Sequence, residues 1–296
     1  MLAVLLALAV AGTSWGLTPE SGTRIAEGVS TEAVVSGGVT HAWVNSSSGG
    51  MVAYQSTDGL TFTALEDALS PRGADAAVVP LPKGGWRMYY TVQTPAGKVI
   101  DSAVSGDMLN WAAEPGDRLS LGTSKATGVP EAVVLPDGQV RLYYVASDSA
   151  RPERIDSAIS SDGLNFTVES GDRLTGGYVD PAVVQLANGS WLMVCSTSPS
   201  GKQKLYAATS ADGLAWTVQA TPLLAPTANV LDPTLVPLGG NRFRVYYSVA
   251  APGQALTGPY RVQSGVLAAV AAKKTVPAKQ VKPAKKATKA KAKKKK

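Results

Sequence analysis

Hydrophobic and polar residues alternate with a period of two along most of this 296-residue chain, and turn residues separate the alternating runs. In one representative segment, the runs ADAAVVPL, WRMYYTV and KVIDSAVS predict three successive strands, and Leu109–Ala112 opens a fourth. No stretch of the body keeps a helical period over several turns. This pattern predicts an all-β chain of short antiparallel strands.

One longer pattern occurs five times: an acidic or proline residue, a small residue, two aliphatic residues, a polar turn and an aromatic run. The copies centre on Ala33-Val34-Val35, Ala77-Val78-Val79, Ala132-Val133-Val134, Ala182-Val183-Val184 and Thr234-Leu235-Val236. A spacing of 44 to 55 residues is typical of repeats whose units cannot bury their own faces alone. Four antiparallel strands per repeat predict a five-bladed β-propeller with four-stranded blades.

The fifth copy has no segment for a fourth strand, and the N-terminus supplies a candidate for it. Aligning residues 20–25 (ESGTRI) with residues 169–174 (ESGDRL) places residues 15–18 opposite residues 164–167, which open a predicted fourth strand. We therefore expect the N-terminal strand to complete the last blade. Closing the ring in this way leaves no open sheet edge at the junction.

The turn between the predicted third and fourth strands has its own signature. The sequence STDGLTFT of residues 56–63 recurs in variant form at residues 105–112, 160–167 and 210–217. It resembles the Asp-box of sialidases and related propellers, in a variant order with Gly directly after Asp. Asp58, Asp107, Asp162 and Asp212 are expected to accept backbone N–H groups within their turns and so to be structural.

The net charge of +6 conceals two regions of opposite sign. Residues 271–296 hold twelve lysines and no acid, which leaves 16 of the 28 basic side chains against 22 acidic ones elsewhere. The N-terminal run LAVLLALAVA is too short to span a bilayer and is typical of a secretory signal. We predict a signal peptide over residues 1–11, the propeller over 12–268 and a disordered lysine-rich tail over 269–296.

These features predict a monomer that is secreted or associated with the cell envelope, without a membrane span. The tail has two interpretations, a solubilising extension or an attachment to an anionic cell-envelope polymer. No aromatic residues accompany its lysines, so no specific nucleic-acid binding is predicted. The single cysteine, Cys195, and the single histidine, His41, exclude an internal disulfide and multi-residue Cys or His metal sites. No cofactor is predicted.

Acidic residues stand at the head of the first strand in every repeat. Counting back from the shared Ala or Thr, Asp75, Asp180 and Asp232 occupy one slot, and Glu32 and Glu131 stand one residue later. In a propeller the first strands line the central channel, so these five acids are expected at one mouth of that channel. Crowded carboxylates raise one another's pKa, which is how such a pair divides acid and base roles. The alternative is that they cap backbone amides in each duplicated blade.

Five blades with Asp-Pro openings resemble the furanosidase-type glycoside hydrolases, the clan of arabinanases, β-xylosidases and invertases. That clan places two aspartates and one glutamate at the inner ends of three successive blades. The resemblance implies that Asp180 and Asp232 act as nucleophile or base and as modulator, with Glu131 or Glu32 as proton donor. The clan's order of Asp, Asp and Glu is recovered here only by reading blades four, five and one around the ring.

Three arginines share another slot, each two residues before a tyrosine: Arg87, Arg141 and Arg244. They could clamp an anionic substrate, as the arginine triad of sialidases does, or pair with neighbouring acids. His41 falls in the same slot of the first repeat and is interpreted as a packing substitute for arginine. Tyr178 could stack on a sugar ring.

The sequence therefore supports two hypotheses. The first is a glycoside-hydrolase-like propeller that acts on or recognises carbohydrate at the acid-lined mouth. The second is a non-catalytic binding or scaffold propeller of the cell envelope, docked on an anionic surface by its tail.

Overall fold

A computed structural model describes residues 13–68, 70–122, 128–148, 151–250 and 258–270. The predicted signal peptide, and the tail beyond Val270, lie outside the described residues. The described residues form 21 strands in five antiparallel sheets and no helix, so none of them forms a helix that could cross a membrane. The all-β fold is confirmed.

The five sheets follow the five repeats. Blade 1 contains β2 (Val29–Ser36), β3 (Val39–Asn45), β4 (Met51–Ser56) and β5 (Thr63–Ala64). Blade 2 contains β6 (Ala74–Pro80), β7 (Trp86–Thr94), β8 (Gly97–Ser105), β9 (Ala112–Ala113) and β10 (Leu119–Gly122), the last two both pairing with β8. Blade 3 contains β11 (Gly128–Val134), β12 (Val140–Ala146), β13 (Arg154–Ser160) and β14 (Thr167–Val168). Blade 4 contains β15 (Tyr178–Gln185), β16 (Trp191–Thr197), β17 (Leu205–Ser210) and β18 (Trp216–Val218). Blade 5 contains β19 (Val230–Gly239), β20 (Arg242–Ala250), β21 (Tyr260–Val270) and, from the N-terminus, β1 (Ser14–Pro19).

The blades form a ring around a central channel. The first strand of each blade contacts the first strand of the next, from β2 through β6, β11, β15 and β19 and back to β2. These five inner strands run in the same direction, so all of them begin at one mouth of the channel and end at the other. The hydrophobic core lies between adjacent blades, in clusters centred on the second strands.

The N-terminal strand closes the last blade in the predicted register. Thr18 pairs with Val266, which pairs with Arg244, as Thr167 pairs with Ile159 and Arg141 in blade 3. Trp15 is only 3% exposed and belongs to the core between blades 4 and 5. Blade 5 ends at Val270, two residues beyond the expected limit at 268.

Four turns, here called Asp turns, connect the third and fourth strands of blades 1 to 4. In the turn of blade 3, Asp162 Oδ1 accepts the backbone N–H groups of Leu164 and Asn165, both at 2.8 Å, and the Ser160 hydroxyl. The same hydrogen bonds occur around Asp58, Asp107 and Asp212. The aspartates therefore organise their own turns, as expected from the sequence.

A latch holds three of these turns against the second strand of the preceding blade. Between blades 2 and 3, Arg87 donates to the carbonyl of Asp162 at 3.0 Å and Tyr89 donates to that of Gly163 at 2.9 Å. The other side of the Arg87 guanidinium forms a two-pronged ion pair with Glu114 at 2.8 and 2.9 Å. Equivalent latches consist of Arg141, Tyr143 and Glu169 on the turn of Asp212, and of Arg244, Tyr246 and Glu20 on the turn of Asp58.

The latch explains which residue follows the aspartate. Gly163 has φ of +70°, and a Cβ atom there would collide with the Arg87 guanidinium and the Tyr89 hydroxyl. The turn of blade 2 has Met108 instead, with φ of +62°, and the preceding blade has His41 where the others have arginine. Met108 packs in a core cluster with Trp43, which occupies the tyrosine slot. A larger turn residue is thus tolerated only where the arginine is missing.

Closure by the N-terminal strand predicts a large stability loss when its anchor is removed. Trp15→Ala should lower the free energy of unfolding by about 3–5 kcal/mol, because a buried indole is replaced by a cavity between blades 4 and 5. Val168→Ala, at a 55% exposed position on a fourth strand, is the control and should change it by less than about 0.5 kcal/mol. Urea denaturation measures both. Equal, small losses would mean that β1 is not part of the core.

The latch predicts different costs for two substitutions at glycines with positive φ. Gly163→Ala and Gly138→Ala both place a side chain in the left-handed region, which costs about 1–2 kcal/mol. Gly138, with φ of +85°, has no atom within 4 Å of the place that the added methyl group would occupy, whereas Gly163 faces the latch. Gly163→Ala should therefore be less stable than Gly138→Ala by a further ~1–3 kcal/mol in urea denaturation. Equal stability of the two variants would contradict the latch.

Candidate active site

The five inner strands begin at a narrow opening, here called the acidic mouth. Its cavity measures about 20 Å³, enough for roughly one water molecule. All five acids that the sequence placed at a common mouth line this one cavity: Glu32, Asp75, Glu131, Asp180 and Asp232. Among the described residues no group of three or more Asp, Glu, His or Cys side chains has a metal-binding arrangement.

A β-bulge occurs near the start of every inner strand. The register with the second strand shifts at this point in all five blades. One residue in each bulge has positive φ although it is not glycine: Ser30, Asp75, Val129, Asp180 and Asp232, with φ between 48° and 58°. Aspartate tolerates this region better than most residues, and the bulge turns these residues out of the regular ladder.

The strand pairing shows a different spacing between aspartates and glutamates from the one expected from the sequence. Glu32 pairs with Trp43 and Glu131 pairs with Tyr143, so both glutamates correspond to Ala77, which pairs with Tyr89. Ala77 lies two residues after Asp75, so the expected offset of one residue was wrong. The glutamates follow the bulge slot by two residues, which keeps them on the channel side rather than turning them to the opposite face.

In four of the five blades, the backbone N–H of the bulge residue donates to a side chain of the preceding blade. Asp75 donates to Asn45 Oδ1 at 3.0 Å, and Asp232 donates to Ser196 Oγ at 3.2 Å. Thr91 and Ser248 accept from Val129 and Ser30 in the same way. Sequence reasoning missed these four acceptors, although each is a polar residue near the end of an apolar second strand.

Asp180 and Asp232 lie side by side in the acidic mouth. Asp180 Oδ2 lies 3.4 Å from the backbone N of Asp232, and the charge of Asp180 contributes to the raised pKa of Asp232. Ser196 Oγ also accepts the N–H of Asp232, at 3.2 Å, and so fixes the backbone of this acid. Asp75 is held by the Asn45 amide, which donates to its Oδ1 at 2.8 Å.

The two glutamates reach across to neighbouring blades. Glu32 Oε1 accepts the N–H of Val78 at 3.0 Å, and its Oε2 accepts the hydroxyl of Thr234 at 3.1 Å. Glu131 Oε1 accepts the N–H of Val183 at 3.0 Å, while no described residue hydrogen-bonds to its Oε2. Glu131 therefore has one oxygen available for a ligand, whereas both oxygens of Glu32 are occupied.

Burial favours the protonated form of the mouth carboxyls. It raises the pKa of Asp180 to about 6 and that of Glu32 to about 7, although hydrogen bonds to each carboxylate oppose the shift. Burial, followed by the charge of Glu32, raises the pKa of Glu131 well above its usual range. Burial, followed by the charges of Asp180 and Asp75, does the same for Asp232. Four acids of one mouth thus hold protons at a pH where exposed carboxyls are ionised.

None of the other predicted ligand-binding residues lines the cavity of the acidic mouth. Arg87, Arg141 and Arg244 form the latches and pair with acids, the second of their two sequence interpretations. Tyr178 is half-buried and packs edge-on against Tyr206, with ring centroids 5.9 Å apart. His41 occupies the arginine slot of blade 1, where burial lowers its pKa.

Comparison with known proteins finds the fold but no sequence family. No family model and no curated protein matches the chain. A thermostable family-43 glycoside hydrolase is similar with a TM-score of 0.66 and 14% identity, over 87% of this chain and 91% of that one. An endo-1,4-β-xylanase from Bacteroides thetaiotaomicron has a TM-score of 0.66 and 12% identity, covering 84% and 96%. An endo-arabinase from the same organism has a TM-score of 0.63 and 14% identity, covering 88% and 99%.

The chain has the fold of the furanosidase-type glycoside hydrolases. The expected five-bladed architecture, closed by the N-terminal strand, is thereby confirmed. At these identities the similarity shows the fold alone, and the chemistry of the site must be argued from its own residues.

The raised pKa of Glu32 predicts a pH dependence of stability. The pKa of Glu32 is near 4.5 in the unfolded chain and about 7 in the folded protein. Between these pH values, Glu32 is ionised only when the chain is unfolded. Its contribution to stability therefore falls as pH rises from about 4.5 to 7. Between pH 5 and pH 8, the free energy of unfolding, measured by urea denaturation, should fall by roughly 1–3 kcal/mol more for wild type than for Glu32→Gln.

The control for this comparison is Glu66→Gln, which removes an exposed acid outside the mouth. The free energy of unfolding of Glu66→Gln should change with pH as that of wild type does. Identical pH profiles for wild type and Glu32→Gln would show that Glu32 ionises in the folded protein as an exposed glutamate does.

Proposed function

We propose that this protein acts on carbohydrate at the acidic mouth, as a glycoside hydrolase. The observation that carries the proposal is the convergence of five carboxyl groups on one opening, with Asp180 and Asp232 side by side. Glycoside hydrolysis needs two carboxyl groups in different protonation states on either side of a sugar. A mouth in which some carboxyls keep their protons while a neighbour stays ionised supplies both states.

The contacts of each acid support a division of roles. Of Asp180 and Asp232, one carboxyl serves as nucleophile or base and the other modulates its pKa. Both glutamates have a raised pKa, and Glu131 is the better proton donor because its Oε2 has no partner among the described residues. Glu32, bonded through both oxygens, and Asp75, held by Asn45, tune the charge of the mouth.

The substrate class is supported by the proteins with the same fold. Their names describe a xylanase, an arabinase and a family-43 glycoside hydrolase, so pentose-containing glycans are the first substrates to test. The apolar N-terminal run supports export, which would bring the protein to extracellular or envelope polysaccharide.

A second candidate function is favoured by the size of the mouth and by its hydrogen bonds. The cavity of about 20 Å³ is smaller than a sugar ring, and Glu32 and Glu131 accept backbone N–H groups of blades 2 and 4. Acids used in this way hold the ring together. The protein would then be a non-catalytic carbohydrate-binding or scaffold propeller of the cell envelope, attached by its lysine-rich tail.

Turnover of chromogenic glycosides tests the proposal. Wild type should release nitrophenol from at least one aryl α-L-arabinofuranoside or aryl β-D-xylopyranoside. Asp180→Asn should reduce this release by about 10²–10⁴-fold, since it removes an ionisable group of the reacting pair. Its melting temperature should not fall, because the substitution replaces a buried acid with a neutral side chain of the same shape. Asp137→Asn, in an exposed hairpin, is the control and should keep wild-type activity.

The two candidates give opposite results in this assay. No release across the panel, together with sedimentation on cell-wall polysaccharide that salt weakens and deletion of residues 271–296 abolishes, would exclude the hydrolase and support the scaffold. Release that Asp180→Asn leaves unchanged would place the reaction at some other site.

A further inference from the structure

The inner strands end at the opposite opening of the channel, here called the apolar mouth. Its cavity measures about 790 Å³ and is lined mainly by strand-end residues such as Val79, Val133, Val184 and Phe243. Val134 at its edge is 40% exposed. An apolar opening of this volume falls in the size range of ligand and peptide sites. It is much larger than the acidic mouth at the other end.

The face around the apolar mouth is acidic. The hairpins between first and second strands and the Asp turns all lie on this face, because both connect strands at the same end of each blade. Together these segments carry five aspartates and two basic residues: Asp58, Asp107, Asp137, Asp162 and Asp212 against Lys83 and Arg242. Backbone N–H donors lower the pKa of each Asp-turn carboxyl.

The chain leaves the described structure on this same face. In blades 1 to 4 the third strand leads into an Asp turn, whereas in blade 5 the third strand, β21, ends at Val270. The lysine-rich segment therefore starts where a fifth Asp turn would stand. Its flanking blades are 4 and 1, which carry Asp212 and Asp58.

The turn of blade 4 differs from the turns of blades 2 and 3 at the outer carboxylate oxygen. In blades 2 and 3, Asn110 and Asn165 donate to Oδ2 of their aspartates at 2.9 and 2.8 Å. Blade 4 has Ala215 at this position and blade 1 has Thr61. Oδ2 of Asp212 receives no hydrogen bond from the described residues, so it is open to a cation.

The lysine-rich segment is long enough to reach both the Asp-turn carboxylates and the apolar mouth. Lys273 and Lys274 follow Val270 by three and four residues, a reach of roughly 10 Å or more. Val276 and Pro277 follow by six and seven residues, a reach of about 20 Å, whereas β21 lies only two strand spacings, about 10 Å, from the inner strand β19.

We propose that residues 271–296 dock in cis on the face of the apolar mouth. The lysines lie against the Asp-turn carboxylates, beginning with Asp212 and Asp58, and Val276 and Pro277 cover the apolar opening. The charges are complementary, with twelve lysines on the segment and an excess of acids on the face. Attachment to the ring keeps the segment at a high effective concentration, so weak ion pairs suffice for docking.

Carbodiimide cross-linking of the full chain, followed by peptide mass spectrometry, tests the docking. The reagent joins a lysine amine directly to a carboxylate in contact with it. Cross-links should connect lysines of residues 273–296 to Asp212 and Asp58 within one chain, as shown by mixing isotopically light and heavy protein. Salt at about 0.5 M should suppress them, because the charges are exposed.

Matched variants make the test specific. In Asp58→Asn/Asp212→Asn each new amide oxygen can still accept the backbone N–H groups of its turn, so only the charge is lost. Cross-linking of the segment to this face should fall by about 2- to 5-fold for each carboxylate removed. Glu27→Gln, an exposed acid on the opposite face, should leave the cross-links unchanged. Cross-links spread over all faces, or formed only between chains, would overturn the proposal.

A neutral apolar dye such as Nile red tests the covering of the mouth. A chain ending at Val270 keeps all 21 strands and should bind more dye than the full chain at low salt. Equal dye binding by the two chains would show that the segment does not cover the apolar mouth.

Discussion

The ring depends on hydrogen bonds that run from the inner strand of one blade to the blade before it. Each inner strand has a bulge near its start, where the ladder within its own sheet is interrupted. A backbone N–H released from the ladder must find another partner when it is buried. Ser196 supplies that partner for Asp232, and Asn45 supplies it for Asp75. A single blade cannot satisfy its own backbone, so each blade depends on the blade before it around the ring.

The same constraint gives the mouth acids two roles. Glu32 and Glu131 accept N–H groups of neighbouring blades, so they help to hold the blades together. Burial also raises their pKa values, so both can carry a proton. A carboxyl that bonds to the backbone through one oxygen and holds a proton on the other is positioned rigidly, which catalysis also requires. An acid that hydrogen-bonds to the backbone can therefore also take part in catalysis if its second oxygen has no other partner. Glu131 meets that condition and Glu32 does not.

Much of the fold could be predicted from the sequence because its repeats carry local signals. Period-two alternation and the Asp turns marked the blades, and the match between residues 20–25 and 169–174 placed Thr18 in its observed register. The site was less predictable. The alignment on Ala-Val-Val placed Glu32 one residue from the aspartate slot, because it equated Ala33 with Ala77, whereas Ala33 occupies the place of Val78 in its ladder. The exception of Met108 opposite His41 likewise depends on a contact between two blades, which no single repeat reveals.

The central claim is that the carboxyls of the acidic mouth are crowded and buried enough to hold protons near neutral pH. Its most direct test is a carbon-13 NMR titration of side-chain carboxyl groups, with the mouth signals assigned by Asp180→Asn and Glu32→Gln. The account predicts that Asp180 titrates near 6 and Glu32 near 7, and that removing Asp180 shifts the titration of Asp232. If all mouth carboxyls titrated near 4, independently of one another, the account would be contradicted.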